Sequence, residues 1–477
     1  MIEDLRARLS DRLGAEAVST ARADLAGYEQ GARYGQGRAA LLVRPADTAG
    51  VALALRECGA AGLHLVPQGA NTGLVAASTP DASGTQVVFS LERLRSPLDI
   101  DPLDRTALVG AGVRLSALND ALAPHGLCFP IDLGADPSIG GMIAANTGGA
   151  RLIRHGDVRR NLLGIEVVLA DGTVLDLLNR NRKNNTGVDL KHLFVGTGGA
   201  FGIITRAVVE VHPLPRQSAT ALLVPQTPEA VPGLIGDLER SLGDFLSACE
   251  GMSRNAMACA LRHRPRVRNP FQGGVLPDYA VLVELSASCG TDVVDLQALL
   301  EDFLGPRLED ALSDAIFGRA EDLWALRHAI SDSLKEDGRV IAFDIAMPRS
   351  VLPAFRAAAT ADLARDWPHL RVCDFGHGGD GGDHFNLVWP NDAPAPFDPA
   401  CIEPVRTLIY DRVVRDHGGS FSAEHGVGPY NQAYYDRYTS PQRLALSGAI
   451  KELLDPEDRL GVVRFGPAHT TNNGATS

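Results

Sequence analysis

Two short segments concentrate the side chains most able to do chemistry. In FGHGGDGGDHFNLVWP, His377 and His384 stand seven residues apart across a glycine-rich turn. In GGSFSAEHGVGP, Glu424 is followed directly by His425. A return of the chain across the first turn would bring both imidazoles to one point. Two histidines and a carboxylate commonly ligate a divalent ion that keeps open positions for substrate. Neighbouring residues point in different directions, so one of Glu424 and His425 can bind metal while the other faces substrate. Surface histidines in glycine-rich loops are the plain alternative; four candidates in two short segments favour a metal site.

Three other glycine-rich segments suggest a large ligand laid against backbone: PQGANTGLVAAS (Pro67 to Ser78), PSIGGMIAANTGGARLIRHG (Pro137 to Gly156) and GTGGAFGIIT (Gly196 to Thr205). Where no Cβ atoms intervene, backbone N–H groups can converge on phosphate oxygens. Taken singly, each also reads as an ordinary turn. Gly110-Ala111-Gly112 starts like a dinucleotide fingerprint, but Leu115 stands where the third glycine belongs, so no Rossmann site is expected there. No G-x-x-x-x-G-K-[ST] occurs, which disfavours a P-loop ATPase.

These segments need a sizeable frame. The chain has 477 residues, 45% of them hydrophobic and 22% charged, which implies two or three domains of a globular enzyme. The formal charge of -13 argues against a nucleic-acid surface or binding to anionic membranes. An anionic substrate then needs a local cationic patch or a metal. Seven scattered cysteines without a C-x-x-C pair are expected to be reduced thiols in a cytoplasmic protein, with no iron–sulfur relay. Met1 to Leu13 reads as a charged amphipathic helix, not a signal peptide, and no 18-residue apolar run suggests a membrane span.

From Ala39 to His212 short apolar runs alternate with helical stretches, as in mixed α/β folds. Ala40 to Val43 and Leu63 to Pro67 read as strands around a helix from Ala46 to Ala61. Gly164 to Leu178 reads as a hairpin turning at Asp171-Gly172. After a boundary at Pro213 to Arg216, helices at Glu229 to Leu246, Asp292 to Leu304 and Val351 to Arg365 alternate with strands at Tyr279 to Ser286, Val340 to Ala346 and His384 to Trp389. A helix from Cys401 to His417 leads into the Glu424 segment. The polar tail Pro467 to Ser477 is expected to be disordered.

In their order and wording, PQGANTGLVAAS, the long block from Pro130 to Leu178, NNTGVDLKHLFVGTGGAFGIIT, GHGGDGGDHFNL and SAEHGVG resemble the FAD-linked D-2-hydroxy-acid dehydrogenases of the vanillyl-alcohol-oxidase/PCMH superfamily, most of all the D-2-hydroxyglutarate dehydrogenase branch. The resemblance runs from about residue 38 to 456. It implies an α+β chain: a PCMH-type FAD-binding domain of two α/β subdomains (1–214), an α+β substrate-binding cap carrying two metal histidines (215–415), and a C-terminal segment returning to the flavin with the metal glutamate and the catalytic histidine (416–477).

By the same resemblance, Pro67, Gln68, Gly69, Ala70, Asn71, Thr72, Gly73 and Leu74 would hold the pyrophosphate. Pro137, Ser138, Gly140, Gly141, Ala144, Asn146, Gly148 and Gly149, with Gly202, Ile203 and Ile204, would line the rest of FAD. The FAD-linking histidine of covalent members is absent from the first loop, so non-covalent FAD is implied. His377, His384 and Glu424 match the family's metal ligands, for which zinc suits best. His425 matches its general base. Arg327 matches a substrate-carboxylate arginine, with Ser331 at a neighbouring hydroxyl position.

The implied partners are a small 2-hydroxy acid and an external electron acceptor such as an electron-transfer flavoprotein, a quinone or a dye; a homodimer is left open. Ala342 stands where the family has a substrate lysine, and Gly382 where it has an asparagine. Buried carboxylates need paired donors, so these changes argue against D-2-hydroxyglutarate as the main substrate. Gly198 and Asn431 also depart from the pattern. Three alternatives remain at this point: an oxidase that passes electrons to O₂, a metal-dependent hydrolase built on the histidine cluster, and a non-catalytic flavin-binding subunit.

Overall fold

The computed structural model describes residues 1–308 and 310–467. The expectation of a disordered tail therefore falls, from residue 468 on, outside the described residues. Three main sheets organise the chain. The first has the order Val18–Ser19, Ala39–Val43, Gln86–Ser90, Leu65–Gln68, its last three strands parallel. Helix Thr48–Ala60 makes the crossover between Ala39–Val43 and Leu65–Gln68. Asp47 caps it by accepting from the Gly50 N–H at 2.7 Å, and Val51, Leu55 and Cys58 bury its inner face. A capped helix joining parallel strands is the usual βαβ solution.

The second sheet is antiparallel, in the order Leu98–Asp101, Thr106–Gly110, Ile203–Glu210, Leu162–Val168, Val174–Leu177. The expected hairpin is present, and Gly172 takes the left-handed conformation its turn requires (φ 82°). One hydrophobic core runs under both sheets and also takes in Leu460. The C-terminal segment is thus packed onto the N-terminal half: Leu460 bridges Leu65, and the His64 ring lies 2.6 Å from the Gly461 carbonyl oxygen.

The third sheet is built from residues beyond 216. Its path is Leu312–Phe317, Gln217–Pro225, Tyr279–Ala287, Leu246–Ser253, Arg371–Gly376, Gly382–Pro390, Gly338–Ile341, with Ile345–Ala346 pairing Gly382–Pro390 as well. Every pairing is antiparallel. Strand Tyr279–Ala287 shows why this sheet is covered on both faces. Val281, Val283 and Leu285 enter one core with helices Val231–Leu242 and Leu296–Leu304. Ala280 and Leu282 enter another with helices Arg254–His263 and Ala320–Asp337. The two-residue side-chain period divides an apolar run between the two faces.

Two elements differ from the sequence reading. The strand expected over Val340 to Ala346 is split into Gly338–Ile341 and Ile345–Ala346. The register continues unbroken, yet the ladder opens over residues 342–344, where Asp344 bonds to the 424–425 backbone instead. The helix expected from Cys401 to His417 is regular only over Ile402–Asp411 and ends in a π-helical turn, Arg412–Asp416, a wider winding often found near functional sites.

Candidate functional site

A cavity of about 1330 Å³ lies between the first two sheets and the third. Ordinary small-ligand pockets measure ~300–1,000 Å³, so this one has room for a large ligand and a small one together. Its first wall is made of the three glycine-rich segments, brought into mutual contact. A Cβ on Gly69 would overlap Ser138 Oγ, and one on Gly199 would lie 2.9 Å from Pro67 Cγ. The Gly198 N–H donates to the Ala144 carbonyl at 2.9 Å. Close backbone approach is therefore what these glycines provide.

The polar side chains of the first loop shape it from behind. Gln68 Nε2 donates to the carbonyls of Tyr28 (2.9 Å) and Ser78 (2.7 Å). Asn71 takes a left-handed conformation, held by donation to the Gln30 carbonyl at 2.8 Å and by Ser78 Oγ at 2.9 Å. With those amides spent internally, largely backbone is left to face a cofactor. Such a wall suits the phosphates and flat rings of FAD, and the loop Pro67 to Ser78 holds no histidine or cysteine for a covalent link.

Of the residues expected at the cofactor, all but two line this cavity. Asn146 turns away: its amide donates to Asp157 at 2.8 Å and accepts from the Arg159 N–H at 3.1 Å. It closes helix Ile139–Ala145 in a left-handed conformation, a local C-cap task. Gly148 stands near the other wall, where an added Cβ would come within 3.0 Å of Leu152 Cδ1 and 3.4 Å of Glu424 Oε2. Gly110 and Gly112 are explained without a nucleotide, since a Cβ at either would collide with the crossing backbone at Leu91 to Ser96.

The opposite wall carries the histidines. His377 follows strand Arg371–Gly376 directly and opens the turn, and His384 sits on strand Gly382–Pro390. Both reach one oxygen, Glu424 Oε1, from their Nε2 atoms, at 3.7 and 3.5 Å. Ligands bound at 2.0–2.1 Å in tetrahedral array stand about 3.4 Å apart, close to these two spacings; a group whose potential ligand atoms all lie within 4.8 Å of one another comprises Asp344, His384, Glu424 and His425, with His377 beside it on Glu424. Burial pushes His384 down to about 4, which keeps it in the neutral form that ligates metals. Burial acts against charge on His377 and Glu424, but their neighbours outweigh it. Glu250 and Glu424 hold His377 well above the ordinary histidine value, while His377, His384 and His425 hold Glu424 far below the usual carboxylate range. Since only a neutral imidazole ligates, an ion at His377 would have to displace the proton that these carboxylates favour.

His425 stacks on His384 with ring centroids 5.9 Å apart, and it lines the cavity with Arg327 and Ser331. The last two lie on helix Ala320–Asp337, one turn apart; Arg327 is buried and Ser331 exposed. The segment carrying Glu424 and His425 is held from both sides. A Cβ on the nearby Gly428 would collide with Val75 of the first loop. On the other side Asp344 Oδ2 accepts from the N–H groups of Glu424 (3.0 Å) and His425 (2.8 Å), and it lies 3.5 Å from His425 Nδ1.

Sequence reasoning missed two carboxylates here, Asp344 and Glu250. Glu250 Oε1 lies 2.8 Å from His377 Nδ1, and its Oε2 accepts from Arg327 Nε at 2.7 Å. Burial would raise the Glu250 carboxyl, but the charges of His377 and Arg327 hold it at about 2. A signal existed: each is a lone acid in an apolar strand-like run, ACEGM and VIAFDIAM, and a buried charge needs a partner. Of the four departures noted above, Ala342 and Gly198 line the cavity. Gly382 lies beside His377 instead, where a Cβ would come within 3.4 Å of the histidine Cβ.

The chain is similar in sequence and in fold to known proteins. Residues 39–178 match the family described as FAD binding domain, and residues 214–461 match FAD linked oxidases, C-terminal domain. The chain is 33% identical over 451 residues to D-2-hydroxyglutarate dehydrogenase, mitochondrial, of Arabidopsis thaliana, covering 92% of this chain and 77% of that one. It is 32% identical to D-2-hydroxyglutarate dehydrogenase of Xanthomonas citri pv. viticola, covering 86% of each. Among solved structures, p-cresol methylhydroxylase with substrate bound superposes with a TM-score of 0.71 at 15% identity, over 98% of this chain and 96% of that one, a likeness of fold alone. The chain belongs to the family of FAD linked oxidases, among the relatives of the D-2-hydroxyglutarate dehydrogenases, and is an FAD-dependent oxidoreductase.

Proposed function

We propose that this oxidoreductase acts on the CH–OH carbon of a D-2-hydroxy acid, giving the 2-oxo acid, with a divalent ion at His377, His384 and Glu424. The observation that carries it is the sharing of one cavity by a backbone wall fit for a flavin and a side-chain wall fit for a cation. When bound, non-covalent FAD supplies the acceptor for hydride from C2, and the ion supplies the charge that lowers the hydroxyl pKa.

The chain's own residues do the rest. Arg327 holds the acid's carboxylate through its terminal nitrogens, and Ser331 offers a hydroxyl at the rim. His425, with Nδ1 turned to Asp344, presents Nε2 as the base that takes the hydroxyl proton. Pro67 to Leu74, the wall from Pro137 to Gly149, and Gly202 to Ile204 hold the cofactor. The division at about residues 214 and 415 belongs to the same reading: a cofactor domain, a cap, and a C-terminal segment closing the site. So does a cytoplasmic setting, for which the unpaired cysteines speak. Among the described residues no helix is long and apolar enough to cross a membrane.

Electrons would leave to an external acceptor. A panel of D- and L-2-hydroxy acids with an accepting dye is expected to show turnover of D-isomers. Hydrogen peroxide formed without dye would identify an oxidase instead, and no turnover of any 2-hydroxy acid would refute the substrate class.

A further inference from the structure

We propose that Glu250 is a positioning residue, a shared support that sets His377 for the ion and Arg327 for the acid at once. The inference rests on the function proposed above, in which those two residues have those tasks. Glu250 stands in strand Leu246–Ser253, and its side chain is only 1% exposed. Each oxygen has its own partner, His377 Nδ1 at 2.8 Å and Arg327 Nε at 2.7 Å. A carboxylate committed in this way cannot shift toward one partner without loosening the other.

Each contact leaves the working end of its partner free. With Nδ1 tied back, the His377 ring is fixed in rotation, and its Nε2 stands as the ligating nitrogen, facing Glu424 Oε1. A carboxylate on the far nitrogen also makes imidazole a stronger metal donor. With Nε tied back, the Arg327 guanidinium is held over the Phe375 ring, its central carbon 4.7 Å from the centroid. Its two terminal nitrogens remain for a bidentate grip on a carboxylate. Among the described residues Arg327 has no other acidic partner. One buried side chain thus sets the distance between the acid-holding group and an ion ligand.

The test uses FAD-loaded protein and reads zinc retention by chelator competition, without any acid present, together with KM at saturating zinc. The amide of Glu250→Gln offers one acceptor oxygen to two donors. It is expected to weaken zinc retention about 10–100-fold and to raise KM, with the flavin spectrum unchanged. Arg327→Lys keeps the charge but loses the Nε contact, so it should raise KM by itself. In the double variant, Glu250→Gln should add nothing further to KM, because its effect on the acid passes through Arg327, yet zinc should still be lost.

Should Glu250→Gln fail to fold, Glu250→Asp, one methylene short, serves instead: it can reach one partner but not both. An ion pair with a purely structural role would lower the melting temperature and leave both affinities within twofold of wild type, and that outcome overturns the inference. Additive effects on KM overturn it as well. Wild-type protein that retains no zinc would sink the underlying function and this inference with it, whereas retention equal in wild type and Glu250→Gln sinks the inference alone.

Discussion

The two walls of the cavity are built on opposite principles. The glycine wall offers largely backbone, and its polar side chains, such as Gln68 and Asn71, are spent holding the loop's shape. The histidine wall offers side chains, two of them backed by a buried carboxylate: His377 by Glu250 and His425 by Asp344. The first should therefore be damaged by adding atoms and the second by removing them. Damage to the first should appear as lost cofactor, and damage to the second as lost turnover with cofactor retained.

The largest expected effect is that of His425→Ala. Loss of a general base costs about 10²–10⁴-fold in turnover, and flavin absorbance should stay at the wild-type level. Single-turnover flavin reduction checks it; near wild-type rates would remove His425 from the chemistry. Asp344→Asn comes next. Its amide cannot accept from the Glu424 and His425 N–H groups with the strength of a carboxylate. A fall of about 10–100-fold in kcat is expected, with KM little changed, as steady-state assays would show.

On the other wall, Gly69→Ala places a methyl against Ser138 Oγ. Overpacking of this kind costs about 1–3 kcal/mol, so the purified variant should carry less flavin while keeping its turnover per bound flavin. Full flavin content with impaired chemistry would blur the contrast between the walls. The smallest effect on function belongs to Asn146→Ala. It should lower thermal stability by about 1 kcal/mol through the lost cap and leave flavin content and rate unchanged. A specific loss of flavin would return Asn146 to the cofactor wall.

What was legible in the sequence follows the range of the interactions. Helix Thr48–Ala60 and the hairpin through Gly172 are written in local signals, a cap and a tight turn, and they were readable. The seven-residue spacing of His377 and His384 also announced itself. Glu250 and Asp344 were each visible as an acid in an apolar run, but their partners lie 127 and about 80 residues away, beyond any periodicity. The opening of the ladder at 342–344 has the same origin, because what pulls Asp344 out of the sheet is the remote 424–425 backbone. Asn146 is placed at the cofactor by the family resemblance, within a glycine-rich setting. Nothing in that setting reveals that its amide is needed at residues 157 and 159.

The central claim is that one chain holds a flavin and a catalytic cation on facing walls. Metal analysis of the purified yellow protein, followed by dye-linked assay before and after chelation, tests it most directly. The expected result is one divalent ion per FAD, with activity lost on chelation, regained with zinc or manganese, and the flavin spectrum intact throughout. Full activity in metal-stripped, flavin-replete protein would contradict it.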